Sequence, residues 1–222
     1  PLAILAEAWE KRGLGKGWGT GDRAAADGRT METTESSLLA GFNRRHKRMG
    51  MTLYWVVRDD WLALKLAVIG TRDFEAWHLV DAVLQPDGGH GVRLVAGDTH
   101  GQQLAVWGLC YLLWIDLAAR FHSLGRVKLY GNRREHGLPV EGVEPVRWSL
   151  VRAAIPSLAR LVEAIRSRKM TAEEALRRGH VYDEEGVNVM EALRELGKAV
   201  RSRWVLRFAM SEDLRREVQD AL

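Results

Sequence analysis

Apolar residues change their spacing along the chain, and those changes mark its elements. Leu2, Ile4, Leu5 and Trp9 share one side of a helix over Leu2–Arg12. The glycine-rich run GLGKGWGTGD that follows has neither the lysine of a phosphate-binding loop nor a GxGxxG spacing, so it reads as a plain loop. RAAADGRTMETT is extended. MTLYWVVRDDW and LALKLAVIGTRD are strands rich in β-branched and aromatic residues, meeting at an Arg58-Asp59-Asp60 hairpin tip. In DFEAWHLVDAVLQPDGG, Phe74, Trp77, Leu79, Val80, Val83 and Leu84 keep helical spacing, with Asp73 as N-cap and Pro86 and Gly88 as the stop. VRLVAGD is a short unbroken apolar run, the mark of a strand buried on both faces. A helix over Gln102–Phe121 is apolar on several sides and therefore buried, and GRVKLYGN supplies the last strand.

After NRREHGLPVEGVEP only helical spacing remains. WSLVRAAIPSLARLVEAIRSR is a helix bent at Pro156. TAEEALRRGH opens with Thr171 and Glu174 in capping-box spacing. VNVMEALRELGKAVRSRWVLRFAM follows, and SEDLRREVQDAL begins with Ser211 as N-cap and acids in its first turn. The pattern predicts an α/β fold: a mixed sheet with flanking helices, then an all-helical region. It divides into an N-terminal helix (residues 1–16), a core (17–132) and a helical part (133–222).

Composition narrows the choice of function. A chain of 222 residues suffices for one large domain, or one carrying a big insertion. Its net charge of +4 and isoelectric point near 9.4 favour an acidic partner. The single cysteine, Cys110, stands in an apolar run, which argues against disulfides and thiolate metal sites and for a buried thiol in a reducing cytoplasm. LAVWGLCYLLWIDLAARF, the longest apolar stretch, is interrupted by Gly108 and Asp116, so no membrane partner is expected. No signal peptide is expected, and a start at Pro1 rather than methionine suggests a piece of something longer.

Two aspartates carry the candidate chemistry. Asp27 in RAAADGRT and Asp98 in VRLVAGDTHG each end a short run of small or apolar residues, with a glycine close behind. Taken singly, Asp27 is a turn residue and Asp98 a helix cap. Taken together they end two strands separated by a helix, and two-metal phosphoryl-transfer sites need carboxylates held in that way. His100 is placed to contact a phosphate or a leaving oxygen, although a lone histidine in a turn is more often structural. Arg44, Arg45, His46, Lys47 and Arg48 form a basic run, either a solvated turn or a holder of a nucleic-acid backbone. Arg120, His122, Arg126, Lys128, Arg133 and Arg134 form a looser one. Of the nine tryptophans, only Trp18 and Trp61 sit in loop-like contexts where a base could stack.

These residues resemble a known family. AAADGRTM is similar to the first-aspartate strand of the Tn-3-type replicative transposases, and GDTHG to their Asp-Thr-(His or Ala)-Gly second-aspartate signature. LAVWGLCYLLW, VRWSLVRAAIPSLARLVEAIRSRKM and EALRELGKAVRSRWVLRF resemble helical stretches of that family, and SEDLRREVQDAL the segment just before its catalytic glutamate. The likeness runs from about Gly17 to Leu222; Gln102 and Gln103 depart from the aromatic and hydroxyl residues of many relatives. The resemblance implies a ribonuclease-H-like fold with a helical insertion, and a metal-dependent DNA transposase that cleaves phosphodiesters and transfers strands. It further implies Asp27 and Asp98 as catalytic ligands of Mg²⁺ or Mn²⁺, with the third acid, a glutamate, beyond Leu222 and the 222-residue chain inactive alone. The implied partners are double-stranded DNA, at transposon ends and target, and further copies of the intact enzyme, acting on the bacterial nucleoid. Two other functions stay open: another two-metal nuclease of this fold, and an inactive DNA-binding remnant of a transposase.

Overall fold

The computed structural model describes residues 2–34, 38, 40–43, 47–70, 75–84, 91–97, 103–119, 121, 125, 127–132, 142–178 and 182–220. Helix α1 (Leu2–Arg12) leads through the glycine-rich loop into β1 (Arg23–Glu32), followed by β2 (Gly41–Asn43), β3 (Arg48–Arg58) and β4 (Ala63–Ile69). Next come α2 (Glu75–Leu84), β5 (Leu94–Gly97), α3 (Leu104–Leu112) and β6 (Asp116–Ala119). These six strands form one mixed sheet in the order β2-β3-β1-β5-β6, with β4 also paired to β3. β1 runs antiparallel to β3 and parallel to β5, which runs parallel to β6. This is the predicted α/β arrangement, a sheet of the ribonuclease-H-like kind.

Alternation decides which face is covered. Ala24 and Ala26 of β1 and Tyr54 and Val56 of β3 are buried, toward the buried Ala76, Leu79, Val80 and Val83 of α2. Small residues on β1 let α2 close in. A Cβ on Gly28 would lie 2.5 Å from the carboxyl carbon of Glu75, the first residue of α2. Burial raises the Tyr54 phenol above its ordinary range, and the charges of Glu75 and Asp27 raise it further.

Three expectations are corrected. The helix expected over Gln102–Phe121 stops at Leu112; Trp114 turns the backbone left-handed (φ 64°) and Asp116–Ala119 becomes β6. Helical-looking apolar residues here meet the open edge of β5, whose Leu94–Gly97 pair with Asp116–Ala119 and bury Leu117, Ala118 and Ala119. GRVKLYGN does not join the main sheet. Its Leu129–Gly131 (β7) pair in parallel with Val143–Pro145 (β8) in a separate two-stranded sheet. The bend expected at Pro156 falls at Ala154, between α4 (Trp148–Ala153) and α5 (Ile155–Arg166), with Pro156 in the first turn of α5, where its missing N–H is not needed. Asp73, Pro86 and Gly88 lie outside the described residues.

Two of the caps in the helical part, at α6 and α8, are those its sequence predicts. Thr171 and Glu174 form a capping box on α6 (Ala172–Arg177). Asn188 caps α7 (Val189–Met210), and Ser211 Oγ accepts the Leu214 N–H at 3.2 Å on α8 (Glu212–Asp220). Asp81 ties α6 to α2 by accepting the N–H groups of Ala172 and Glu173 at 2.7 and 2.9 Å. Helix α7 crosses α3 with backbones in contact: a Cβ on Gly197 would sit 1.7 Å from the Leu104 carbonyl oxygen, and one on Gly108 2.3 Å from that of Leu193. Trp107, Leu109 and Leu193 are buried around the crossing, and so is Cys110, whose thiol burial pushes up to about 12. One core therefore runs from the sheet through α3 into α7.

Candidate active site

Asp27 does not end its strand as expected: pairing with β3 runs on to Glu32, so Asp27 lies midway along β1, opposite Trp55 of β3. Alternation places it with Arg23 and Ala25 on the face turned away from α2, where it is exposed. Its Oδ1 accepts the N–H of Gly28 at 2.8 Å; its Oδ2 accepts no hydrogen bond from the described residues. It opens on a cleft of about 1210 Å³ with Ala25, Trp55 and Val57 in its floor.

Two walls rise from that floor. One is α8, which presents Asp213, Glu217 and Asp220 on one face and is anchored to β1 by Glu217 and Arg23 at 2.7 Å. The other carries Trp18 from the glycine-rich loop and Trp61 from the β3–β4 turn. This acidic face was legible as i, i+4, i+7 spacing in SEDLRREVQDAL, yet sequence reasoning attached no site to it.

The other site candidates fall elsewhere. Asp98 and His100 lie outside the described residues; β5 is described to Gly97, which stands opposite Ala26 in parallel register. Arg44, Arg45 and His46 are also outside them. Lys47 is exposed, and Arg48 donates to both carboxylate oxygens of Glu32 at 2.8 and 2.7 Å. Arg48 is seven residues up β3 from Trp55, on the order of 20 Å. Alternation also gives it the opposite face, so the structure does not bring it to Asp27. Of the looser basic stretch only Lys128 is described, paired with Glu144 at 2.7 Å. The glycine-rich loop is not a phosphate cradle: its Thr20 and Gly21 N–H groups already donate to Asp59, at 3.0 and 2.8 Å.

Asp27 offers the hard oxygen donor that a Mg²⁺-class cation takes. Among the described residues, no three histidine, cysteine or acidic side chains cluster closely enough to hold a metal. None of the described helices is long and apolar enough to cross a membrane.

Over residues 2–222 the chain matches the family described as Tn3 transposase DDE domain. It belongs to that family. The transposase for transposon Tn1546 of Enterococcus faecium is 26% identical over 224 residues, which cover 99% of this chain and 23% of that protein. The transposases for Tn3926 and Tn21 of Escherichia coli are each 26% identical, over 227 and 226 residues, again covering 23% of their own length. This Tn3 transposase DDE domain thus spans about a quarter of the relatives it matches. Domains of this kind work with divalent metal ions.

Proposed function

We propose that this Tn3-type DDE domain carries the catalytic centre of a DNA transposase, which cleaves phosphodiesters at transposon ends and joins the freed 3′ ends to target DNA. The observation that carries the reading is a register. β1 and β5 lie side by side and parallel with Ala26 opposite Gly97, and in the sequence each of these two residues is followed by an aspartate, Asp27 and Asp98. Two acids that each follow, in the sequence, one member of such a pair suit a shared set of metal ligands.

Asp27 and Asp98, with a glutamate beyond residue 222, are the ligands in this reading, and Mg²⁺ or Mn²⁺ the ion. Such ions, when bound, lower the pKa of an attacking water and stabilise the leaving 3′ oxygen. The chain's own residues supply position. The Gly28 N–H steadies one oxygen of Asp27 and leaves the other for the cleft. Arg23, tied to Glu217, fixes α8 against β1 beside the reacting phosphate. Exposed Arg48 can exchange Glu32 for DNA phosphate, since such surface pairs are worth only about 1 kcal/mol or less. Arg44, Arg45, Lys47 and His100 join it as phosphate contacts. Double-stranded DNA is the partner, with the intact enzyme working as a homo-oligomer in the bacterial cytoplasm.

The test is strand cleavage and joining on transposon-end DNA by a protein extended past residue 222 through the next glutamate. Asp27→Ala and Asp98→Ala should each lower Mg²⁺-dependent cleavage on the order of 10³-fold or more, each ~1.4 kcal/mol of barrier being tenfold in rate. Residues 1–222 alone should neither cleave nor join. Cleavage without joining would support a nuclease instead, and robust cleavage by residues 1–222 would show the third ligand to be misassigned.

A further inference from the structure

We propose that Trp18 and Trp61 form a stacking site for one unpaired nucleobase at the edge of the Asp27 cleft. The inference rests on the DNA-processing reading above and adds a ligand that the reading does not need.

Both indoles are 71% and 66% exposed, unusual for side chains of such apolar area. They meet edge to face, with centroids 6.2 Å apart and planes at 85°. In that arrangement the ring that offers its edge keeps both faces clear of the other.

The pair is built rather than incidental. Trp61 takes left-handed backbone (φ 70°) at the β3–β4 turn, a strained conformation for an aromatic residue, and its N–H is bound to the Arg58 carbonyl at 2.9 Å. The loop bearing Trp18 is pinned to the same turn. Asp59 accepts from Thr20 N, Gly21 N and Thr20 Oγ1 at 3.0, 2.8 and 3.1 Å. Gly19 packs so tightly there that a Cβ would lie 2.6 Å from the Asp59 carbonyl. Neighbouring Asp60 is gripped by Arg58 at 2.7 and 2.5 Å and by Trp9 Nε1 at 3.2 Å, which fastens α1 to this turn as well. Two loops distant in sequence are thus locked so that two tryptophans face solvent together.

Charge selects the occupant. Asp27, Asp59, Asp213, Glu217 and Asp220 line the same cleft, whereas its Arg23, Arg58 and Arg216 are already bound to Glu217, Asp60 and Glu212. Without a bound divalent cation such a surface repels phosphate oxygens, and the indoles accept the uncharged part of a nucleotide. Inside a duplex a paired base has both faces covered by its neighbours, so away from duplex ends only an unpaired one can lie on an indole. Base–aromatic stacking is also indifferent to base identity. A base held here would fix its flanking phosphate near Asp27.

The experiment compares binding of the 222-residue chain, without divalent metal, to a fully paired duplex and to the same duplex carrying a short unpaired run with 2-aminopurine. The unpaired DNA should bind at least about fivefold tighter, with 2-aminopurine fluorescence quenched by stacking. Trp18→Ala and Trp61→Ala should each abolish the preference and the quench, with paired-duplex affinity unchanged. Trp18→Phe and Trp61→Phe should keep most of both. Binding of the two DNAs equally, or a preference surviving both alanine variants, overturns the stacking site and leaves the transposase reading standing. Failure to bind either DNA overturns the DNA reading and the base site with it.

Discussion

The α3–α7 crossing and the open face of β1 are built on opposite terms. At the crossing, backbone touches backbone at Gly108 and Gly197. The nearby acid Glu195 is fully buried and satisfied: its Oε2 accepts the Arg147 N–H at 2.9 Å, and its Oε1 accepts Arg147 Nε at 3.0 Å and Lys198 Nζ at 2.7 Å. On β1, Asp27 is exposed, keeps one oxygen without a partner among the described residues, and lies beneath a cleft. One carboxylate is spent on the fold and the other is left available for chemistry. The second region keeps its shape because the first is rigid: buried packing through α3, β5 and β6 holds β1 in place from behind.

The sharpest way to break this contrast is at Gly197. A methyl group there would stand 1.7 Å from a backbone oxygen, which no rotamer can relieve, so α7 must lift from α3. Gly197→Ala should cost about 3 kcal/mol or more, at the upper end of overpacking effects, measured by urea unfolding. A loss below about 1 kcal/mol would mean the crossing is looser than its geometry.

Next in size is Glu195. Burial pushes its carboxyl up, but the Arg147 N–H, the Lys198 ammonium and the Arg147 guanidinium outweigh that and hold it below the usual glutamate range. Glu195→Ala should cost about 2 kcal/mol, since it strips the acceptor from a buried N–H and from two cations. The pH dependence follows from the lowered pKa. Above about 4.3 the acid is ionised in both states and its stabilisation is complete. As pH falls below that, the unfolded chain takes up the proton first, and stability declines until the folded carboxyl is protonated too. Asp60, lowered chiefly by the Arg58 hydrogen bond, adds to the same acid limb. Glu195→Gln should flatten that limb in unfolding curves taken across pH; an unchanged limb would place the proton uptake elsewhere.

How much of this was readable from residues alone follows from the range of each interaction. Caps are local, so Thr171, Glu174 and Ser211 were found directly. The alternation in MTLYWVVRDDW named β3, and the small residues of RAAADGRT gave β1. β6 was missed because LLWIDLAARF has no alternation; only the edge of β5, far away in the fold, makes it a strand. The same limit governs the site. Asp27 is announced by its own segment, but the acidic wall of α8 joins it through one ion pair, Arg23–Glu217, between residues nearly the whole chain apart. The basic run looked adjacent to the first aspartate in sequence, yet alternation puts described Arg48 on the other face.

A smaller effect is expected at Asp81, the acceptor for two N–H groups that open α6. Asp81→Ala removes an N-cap-like acceptor and the tie between α2 and α6, for a loss of about 1 kcal/mol in thermal or urea unfolding. Asp81→Asn should recover part of it, because one oxygen remains to accept. Equal losses in the two variants would mean that charge at the helix N-terminus, not the hydrogen bond, holds α6.

The smallest effect should fall on the residue that matters most to function. Asp27→Asn keeps an oxygen for the Gly28 N–H, fills the same volume and removes only a charge. Its side chain is exposed, its Oδ2 serves no other group in the described fold, and surface changes of this kind stay within about 0.5 kcal/mol. Removing a carboxylate from a cleft that also holds Asp213, Glu217 and Asp220 relieves like-charge repulsion, so the small change should be toward higher stability at neutral pH. The contrast with Glu195 is then complete: two acids, one whose loss destabilises the fold and one whose loss is silent until DNA is cut. A loss of several kcal/mol on Asp27→Asn would make Asp27 a structural acid and remove the ground for calling this cleft an active site.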